Sequence, residues 1–120
     1  SKWFGTGLIT YSNSAKVKIL GVNKETLLKE GAVSESVVEE MVIGAMQLGK
    51  AEYGIAISGV AGPGGGSKER PVGTVCFALG SSEKIITSTM HFEGERDEVR
   101  NQSILYAFTE INNFLKTLQN

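Results

Sequence analysis

The chain has 120 residues, 41% hydrophobic and 21% charged, proportions that fit one folded domain rather than a disordered segment. Its 12 Lys and Arg against 13 Asp and Glu leave a net charge of -1, which argues against a nucleic-acid grip built on surplus basic charge. No apolar run approaches the length of a membrane span, no signal-peptide pattern opens the chain, and one cysteine, Cys76, allows no internal disulfide. A single histidine, His91, without a cysteine cluster disfavours a metal site, so the expectation is a cytoplasmic domain with no membrane, metal or cofactor.

In chain order, Gly7-Leu-Ile-Thr-Tyr11 reads as a short strand running into Ser12-Asn13, two helix N-cap types. Ala15 to Leu20 then forms a short helix stopped by Gly21. Asn23 caps a second helix, Lys24 to Glu30, which Gly31 closes, and Ser34 opens a longer one to about Leu48. In that third helix Val37, Val38, Met41, Val42 and Ala45 recur at helical spacing and predict a buried stripe. Tyr53-Gly-Ile-Ala-Ile57 is uncharged and mostly apolar, which predicts a strand buried on both faces under helices. Val72 to Leu79 and Lys84 to Phe92 flank the turn-like Gly80-Ser-Ser-Glu83 and predict an antiparallel hairpin. A last helix starts near Glu95 with Ile104, Ala107, Phe108, Ile111, Leu115 and Leu118 on one face. The order of elements predicts one α/β domain over residues 1–120, a three-layer α/β/α arrangement whose mixed sheet includes one antiparallel hairpin. Because a strand lies so close to Ser1, an earlier sheet element is expected to be missing, and the open edge or apolar surface this leaves favours homo-oligomerisation.

The strongest local signal of function is Ser58-Gly-Val-Ala-Gly-Pro-Gly-Gly-Gly66, directly after the apolar strand. Loops leaving the carboxyl ends of strands in α/β sheets are the usual place for ligands. Glycines permit positive φ and let a ligand approach main-chain N–H groups, which together form a concavity suited to an anion. The run lacks the Gly-Lys-Ser/Thr of a phosphate-binding P-loop and does not match G-x-G-x-x-G; a plain surface turn explains the pattern about equally well. Near the first helix, Lys16 falls within a turn of the N-terminus, where the helix field favours the neutral amine and hence a base. Taken alone, Lys16 is more simply a solvated lysine and Tyr11 a packing residue. Ser58 offers a hydroxyl, but with one histidine in the chain no Ser-His-Asp set can be assembled around it.

Several blocks taken together sharpen this picture: Trp3-Phe4, Thr10-Tyr-Ser-Asn-Ser-Ala-Lys16 with Leu20-Gly-Val22, and Glu30-Gly-Ala-Val-Ser-Glu35. Ile57-Ser-Gly-Val-Ala-Gly-Pro-Gly-Gly64, Arg70-Pro-Val-Gly-Thr74 and Phe92-Glu-Gly-Glu-Arg-Asp-Glu-Val-Arg100 complete the set. In this order and spacing they resemble the C-terminal domain of the competence/damage-inducible protein CinA, whose stand-alone members are nicotinamide-nucleotide amidases. The resemblance covers essentially the whole chain. It implies deamidation of nicotinamide mononucleotide to nicotinate mononucleotide and ammonia, a salvage step for pyridine nucleotides, by a serine nucleophile with a lysine base and no metal.

By position the resemblance makes Lys16 the base, Tyr11 its neighbouring tyrosine, and Ser58 a hydroxyl where relatives often carry threonine. It implies that Gly59, Ala61, Gly62 and Gly64 contact the substrate through the loop, and that Arg96 reaches the phosphate or makes a structural pair. On the residues themselves, Arg96 and Arg100 read equally well as exposed helix charges. Glu95 stands where relatives have Asp, a poorer helix cap. The family's nucleophilic serine lies in an Ala-Glu-Ser-Cys-Thr-Gly-Gly segment upstream of the Trp-Phe block, and no serine of this sequence matches it. The expectation is therefore an amidase domain, N-terminally incomplete and with little or no turnover alone; the alternative is a non-catalytic nucleotide-binding or interaction module.

Overall fold

The computed structural model describes residues 13–60, 67–68 and 70–118, with side chains from Lys16 onward. Local signals set the first three helices. Helix α1 (Asn13–Leu20) stops at Gly21, whose φ of 74° lies where only glycine sits without strain. Helix α2 (Lys24–Glu30) starts where the Asn23 side chain accepts the Glu25 N–H at 2.7 Å, and ends at Gly31 with φ 84°. Ser34 does two jobs at the start of α3 (Glu35–Gly49). It accepts the Val37 N–H at 3.3 Å and donates to the Gly31 carbonyl at 2.8 Å, joining the end of α2 to the start of α3. The apolar stripe of α3 is buried as its spacing predicts, with Ala45 packed at its margin.

Strands β1 (Tyr53–Gly59), β2 (Thr74–Ser81) and β3 (Ile85–His91) form a sheet in the order β1-β2-β3, antiparallel throughout. The expected hairpin is β2–β3. The strand expected over residues 7–11 lies outside the described residues, among which the sheet is antiparallel rather than mixed. One expectation is corrected here. β1 is not enclosed on both faces: Tyr53 and Ile57 are 40% and 39% exposed. Among the described residues β1 pairs on one side only, and the doubly covered strand is the central β2, buried from Thr74 to Gly80.

Alternation along the strands divides the core in two. Ala56, Cys76 and Ala78 face α3, joining Val38, Val42 and Met46, while Val75 and Phe77 face α4 (Arg96–Leu118). Tyr106 of α4 lies against Phe77 and Phe92, with ring centroids 4.6 and 6.3 Å apart. Helices on both faces make the α/β domain a three-layer one, as expected.

The seam of α4 differs from expectation. Val99, Ser103, Ala107 and Phe114 meet the sheet side, whereas Ile104, Phe108 and Leu118 are 46%, 63% and 50% exposed. Of the expected face, Ala107 is buried and Ile111 and Leu115 are half-buried, but close packing on Phe77 brings in the small Ser103 in place of Ile104 and Phe108, so the seam is rotated from the expected one. Its start is fixed by Glu98, whose carboxylate accepts the Glu95 N–H at 2.9 Å.

Helix α1 crosses α3 at Gly44. A methyl group at that position would overlap the Leu20 carbonyl oxygen and stand 2.6 Å from its carbon, so the two backbones meet without intervening side chains. That contact fixes the position of the element carrying Lys16.

Candidate functional site

At one end of the sheet β1 finishes, β2 begins and β3 finishes. The loop between β1 and β2 leaves and returns there under backbone control. The Val60 N–H donates to the Thr74 carbonyl at 2.9 Å and the Gly73 N–H to the Val60 carbonyl at 3.3 Å. The Phe92 N–H donates to the Gly73 carbonyl at 2.9 Å, and His91 Nε2 lies 3.0 Å from the Val72 carbonyl oxygen, which gives the single histidine a structural partner. Ser58 and Gly59 close β1 at this end. Ala61, Gly62, Gly64 and Tyr11 lie outside the described residues.

Lys16 is buried, only 7% exposed, which sets aside the simpler expectation of a solvated lysine. Its pKa is lowered from the ordinary 10.5, and the cause is desolvation of the ammonium rather than the helix field inferred from its position. Both effects act in the same direction. The consequence is a larger neutral fraction near neutral pH than a surface lysine has, the state a base requires.

Ser58 projects to the α3 side and donates its hydroxyl proton to the Ala32 carbonyl at 2.9 Å. It thereby ties the end of β1 to the segment between α2 and α3. Its sheet partner is Cys76, which in turn pairs with Thr89, so the three side chains form a row across the sheet. Beside that row opens a cavity of about 420 Å³ lined by Glu30, Ser34, Glu35, Arg70, Thr74 and Thr89 among others. Its size suits a small molecule. None of Lys16, Ser58 or Arg96 lines it.

Glu35, the first residue of α3, spans from the helix to β3. Its two carboxylate oxygens accept the Thr87 hydroxyl at 2.8 Å and the Thr89 hydroxyl at 2.6 Å. These bonds hold the carboxyl below its ordinary value of 4.5, with a smaller opposing effect of burial. A lowered native value means that the stabilisation is complete above 4.5 and is lost as the pH falls through the native pKa. Thr89→Val is expected to cost about 0.5 kcal/mol at pH 7, small because the pair is exposed to solvent. The cost should shrink as Glu35 is protonated; urea unfolding of the two proteins from pH 7 to pH 3 measures it.

Residue-by-residue reading missed this cavity. Thr87-Ser-Thr89, with two hydroxyls at strand spacing, was the available signal, but a strand pattern does not show that a carboxylate 52 positions away meets it. Arg96 is exposed at the first turn of α4, at the loop end of the sheet. Arg100 pairs with Asp97 at 2.9 Å in solvent, the exposed helix charge that was one of its two readings. No cluster of metal-ligating side chains occurs among the described residues, and none of the described helices is long and apolar enough to cross a membrane.

The CinA C-terminal domain model matches residues 1–115. The nicotinamide-nucleotide amidohydrolase PncC of Escherichia coli K12 is 53% identical over 108 residues, covering 89% of this chain and 66% of the relative. A CinA-like protein of Fervidobacterium nodosum is 47% identical over 108 residues, 90% of this chain but 26% of its own length. Among solved structures, competence/damage inducible protein CihA of Agrobacterium tumefaciens aligns with TM-score 0.88 at 36% identity, covering 92% of this chain and 68% of its own. A CinA-superfamily protein of Enterobacter cloacae aligns with TM-score 0.83 at 43% identity, over 88% and 62%. The chain thus spans just under two thirds of the amidohydrolase and about a quarter of the longer relative. A family match across nearly every residue, with the same fold in independently solved relatives, places the chain: it belongs to the CinA C-terminal domain family.

Proposed function

We propose that this domain serves a nicotinamide-nucleotide amidase, converting nicotinamide mononucleotide and water to nicotinate mononucleotide and ammonia in the cytoplasm. The observation that carries the reading is the buried, desolvated amine of Lys16 in a domain with amidohydrolase relatives. The neutral amine takes the proton of a serine hydroxyl, supplied by the family's Ala-Glu-Ser-Cys-Thr-Gly-Gly segment, as the serine oxygen attacks the carboxamide carbon. Collapse of the tetrahedral intermediate returns that proton to the departing nitrogen, releasing ammonia and leaving an ester. Water then cleaves the ester, with the lysine again taking and returning a proton, and the carboxylate product leaves.

Backbone N–H groups of the loop, through Gly59, Ala61, Gly62 and Gly64, hold the phosphate together with Arg96. The family resemblance assigns Tyr11 as the tyrosine that accompanies Lys16. Ser58 acts through its bond to the Ala32 carbonyl, holding the α2–α3 segment against the end of β1.

The test is release of ammonia from nicotinamide mononucleotide by the protein expressed from its entire reading frame. Stoichiometric ammonia and nicotinate mononucleotide support the amidase reading. A non-catalytic nucleotide-binding module is the second reading. Nucleotide binding without ammonia release, with any upstream segment present, decides for it.

A further inference from the structure

Of the hydroxyls that line the cavity beside Ser58 among the described residues, those of Ser34, Thr74 and Thr89 have their protons already committed, while that of Ser36 does not. Ser34 donates to the Gly31 carbonyl at 2.8 Å, Thr74 to the Pro71 carbonyl at 2.7 Å, and Thr89 to Glu35 at 2.6 Å. Each therefore offers an incoming molecule lone pairs rather than a proton. Glu35 adds a carboxylate with about four lone-pair sites, two of them filled by threonines and two left over. The two threonine bonds also fix the carboxylate plane, so ordering it costs a ligand little. Glu30 makes the lining still richer in acceptors, and Arg70 is the one cationic side chain in it among the described residues.

Among the described residues of the lining, two carboxylates against one guanidinium disfavour a phosphate inside the cavity. A neutral group with adjacent donors fits it, and the nucleotide proposed above carries one in the cis-diol of its ribose. We infer that this cavity is the ribose subsite, with Glu35 accepting the 2′- and 3′-hydroxyls and Arg70 offsetting the phosphate at its rim. The inference rests on the nucleotide reading. It makes Glu35 a residue that selects ribonucleotides over their deoxy counterparts, a role separate from proton transfer at Lys16.

The experiment is a binding cycle on the full chain at pH 7.5, with nicotinamide mononucleotide and its 2′,3′-dideoxy analogue as probes, read before measurable ammonia accumulates. The parent protein should bind the ribonucleotide about tenfold more tightly than the dideoxy analogue, the scale of hydrogen bonds to a charged group. Glu35→Gln should bind both alike, within about twofold, because one of the two acceptor oxygens becomes a donor. Equal binding of the two probes by the parent, or undiminished discrimination in Glu35→Gln, overturns the ribose assignment and leaves the nucleotide reading standing. Failure of both probes to bind the parent overturns the nucleotide reading itself, and this assignment with it. Thr87→Val keeps the carboxylate but loosens its plane, and should reduce the discrimination without abolishing it.

Discussion

Lys16→Met should lower ammonia release from nicotinamide mononucleotide by about 10²- to 10⁴-fold, the range for removal of a general base. Methionine is unbranched and of similar reach, so it can occupy the site of a lysine that is 7% exposed without opening a cavity. The variant is thus expected to stay folded, and lost activity then reports chemistry rather than collapse.

The pH profile separates this from a merely structural role. Only the neutral amine can accept a proton, so the parent rate should climb as the pH rises through the native pKa of Lys16, which lies below 10.5. The residual rate of the methionine protein should lack that limb. Stability moves in a related way. The cost of burying the ammonium is complete below the native pKa and vanishes above 10.5, so the parent gains stability across that alkaline window and Lys16→Met does not. Normal turnover in Lys16→Met would remove the lysine from the mechanism.

Gly44→Ala is the second large effect, and two opposing terms decide its sign. Alanine is favoured over glycine inside a helix by about 1 kcal/mol. Against that, the added methyl meets the Leu20 backbone, which cannot swing aside as a side chain would. Overpacking of this kind costs about 3 kcal/mol, so the net expectation is a loss of about 2 kcal/mol. Urea unfolding should show a lower midpoint with an unchanged slope. Because α1 must retreat, Lys16 moves with it, and activity should fall further than the unfolded fraction explains. A protein as stable as the parent would show that α1 does not rest on α3 at this point.

The parts of the fold legible in the sequence are those governed by neighbours in the chain. Asn23, Gly31 and Ser34 mark helix ends because a cap is a contact over two to three residues, and each does so in the structure. The β2–β3 hairpin is legible for the same reason. The errors concern which surface an element turns inward. A short apolar run such as 53–57 cannot announce whether it is central or at a margin, and the enclosed strand proved to be β2, with Phe77 and Ala78 at its heart. In α4 the expected face was right at Ala107, Ile111 and Leu115 but wrong at Ile104, Phe108 and Leu118, since the small Ser103 allows the approach that Phe108 would block.

The site divides similarly. The burial of Lys16 is a tertiary property, and the Glu35 clasp joins positions 52 and 54 residues apart, so neither is visible in local pattern. Ser58 was legible as a hydroxyl at the end of a strand, but not as the tether to Ala32 that it is.

The two connections within the sheet differ in a way that bears on how the protein assembles. The β2–β3 turn needs only the few residues around Glu83, whereas β1 reaches β2 across the long segment from Val60 to Gly73. Closing a longer loop delays pairing but taxes the final stability little, about 0.6 kcal/mol for each doubling of length. The hairpin can therefore form early and β1 dock late. Insertions or deletions in that segment are then felt in the rate of docking far more than in the native balance, which leaves evolution free to vary its length while the sheet stays intact.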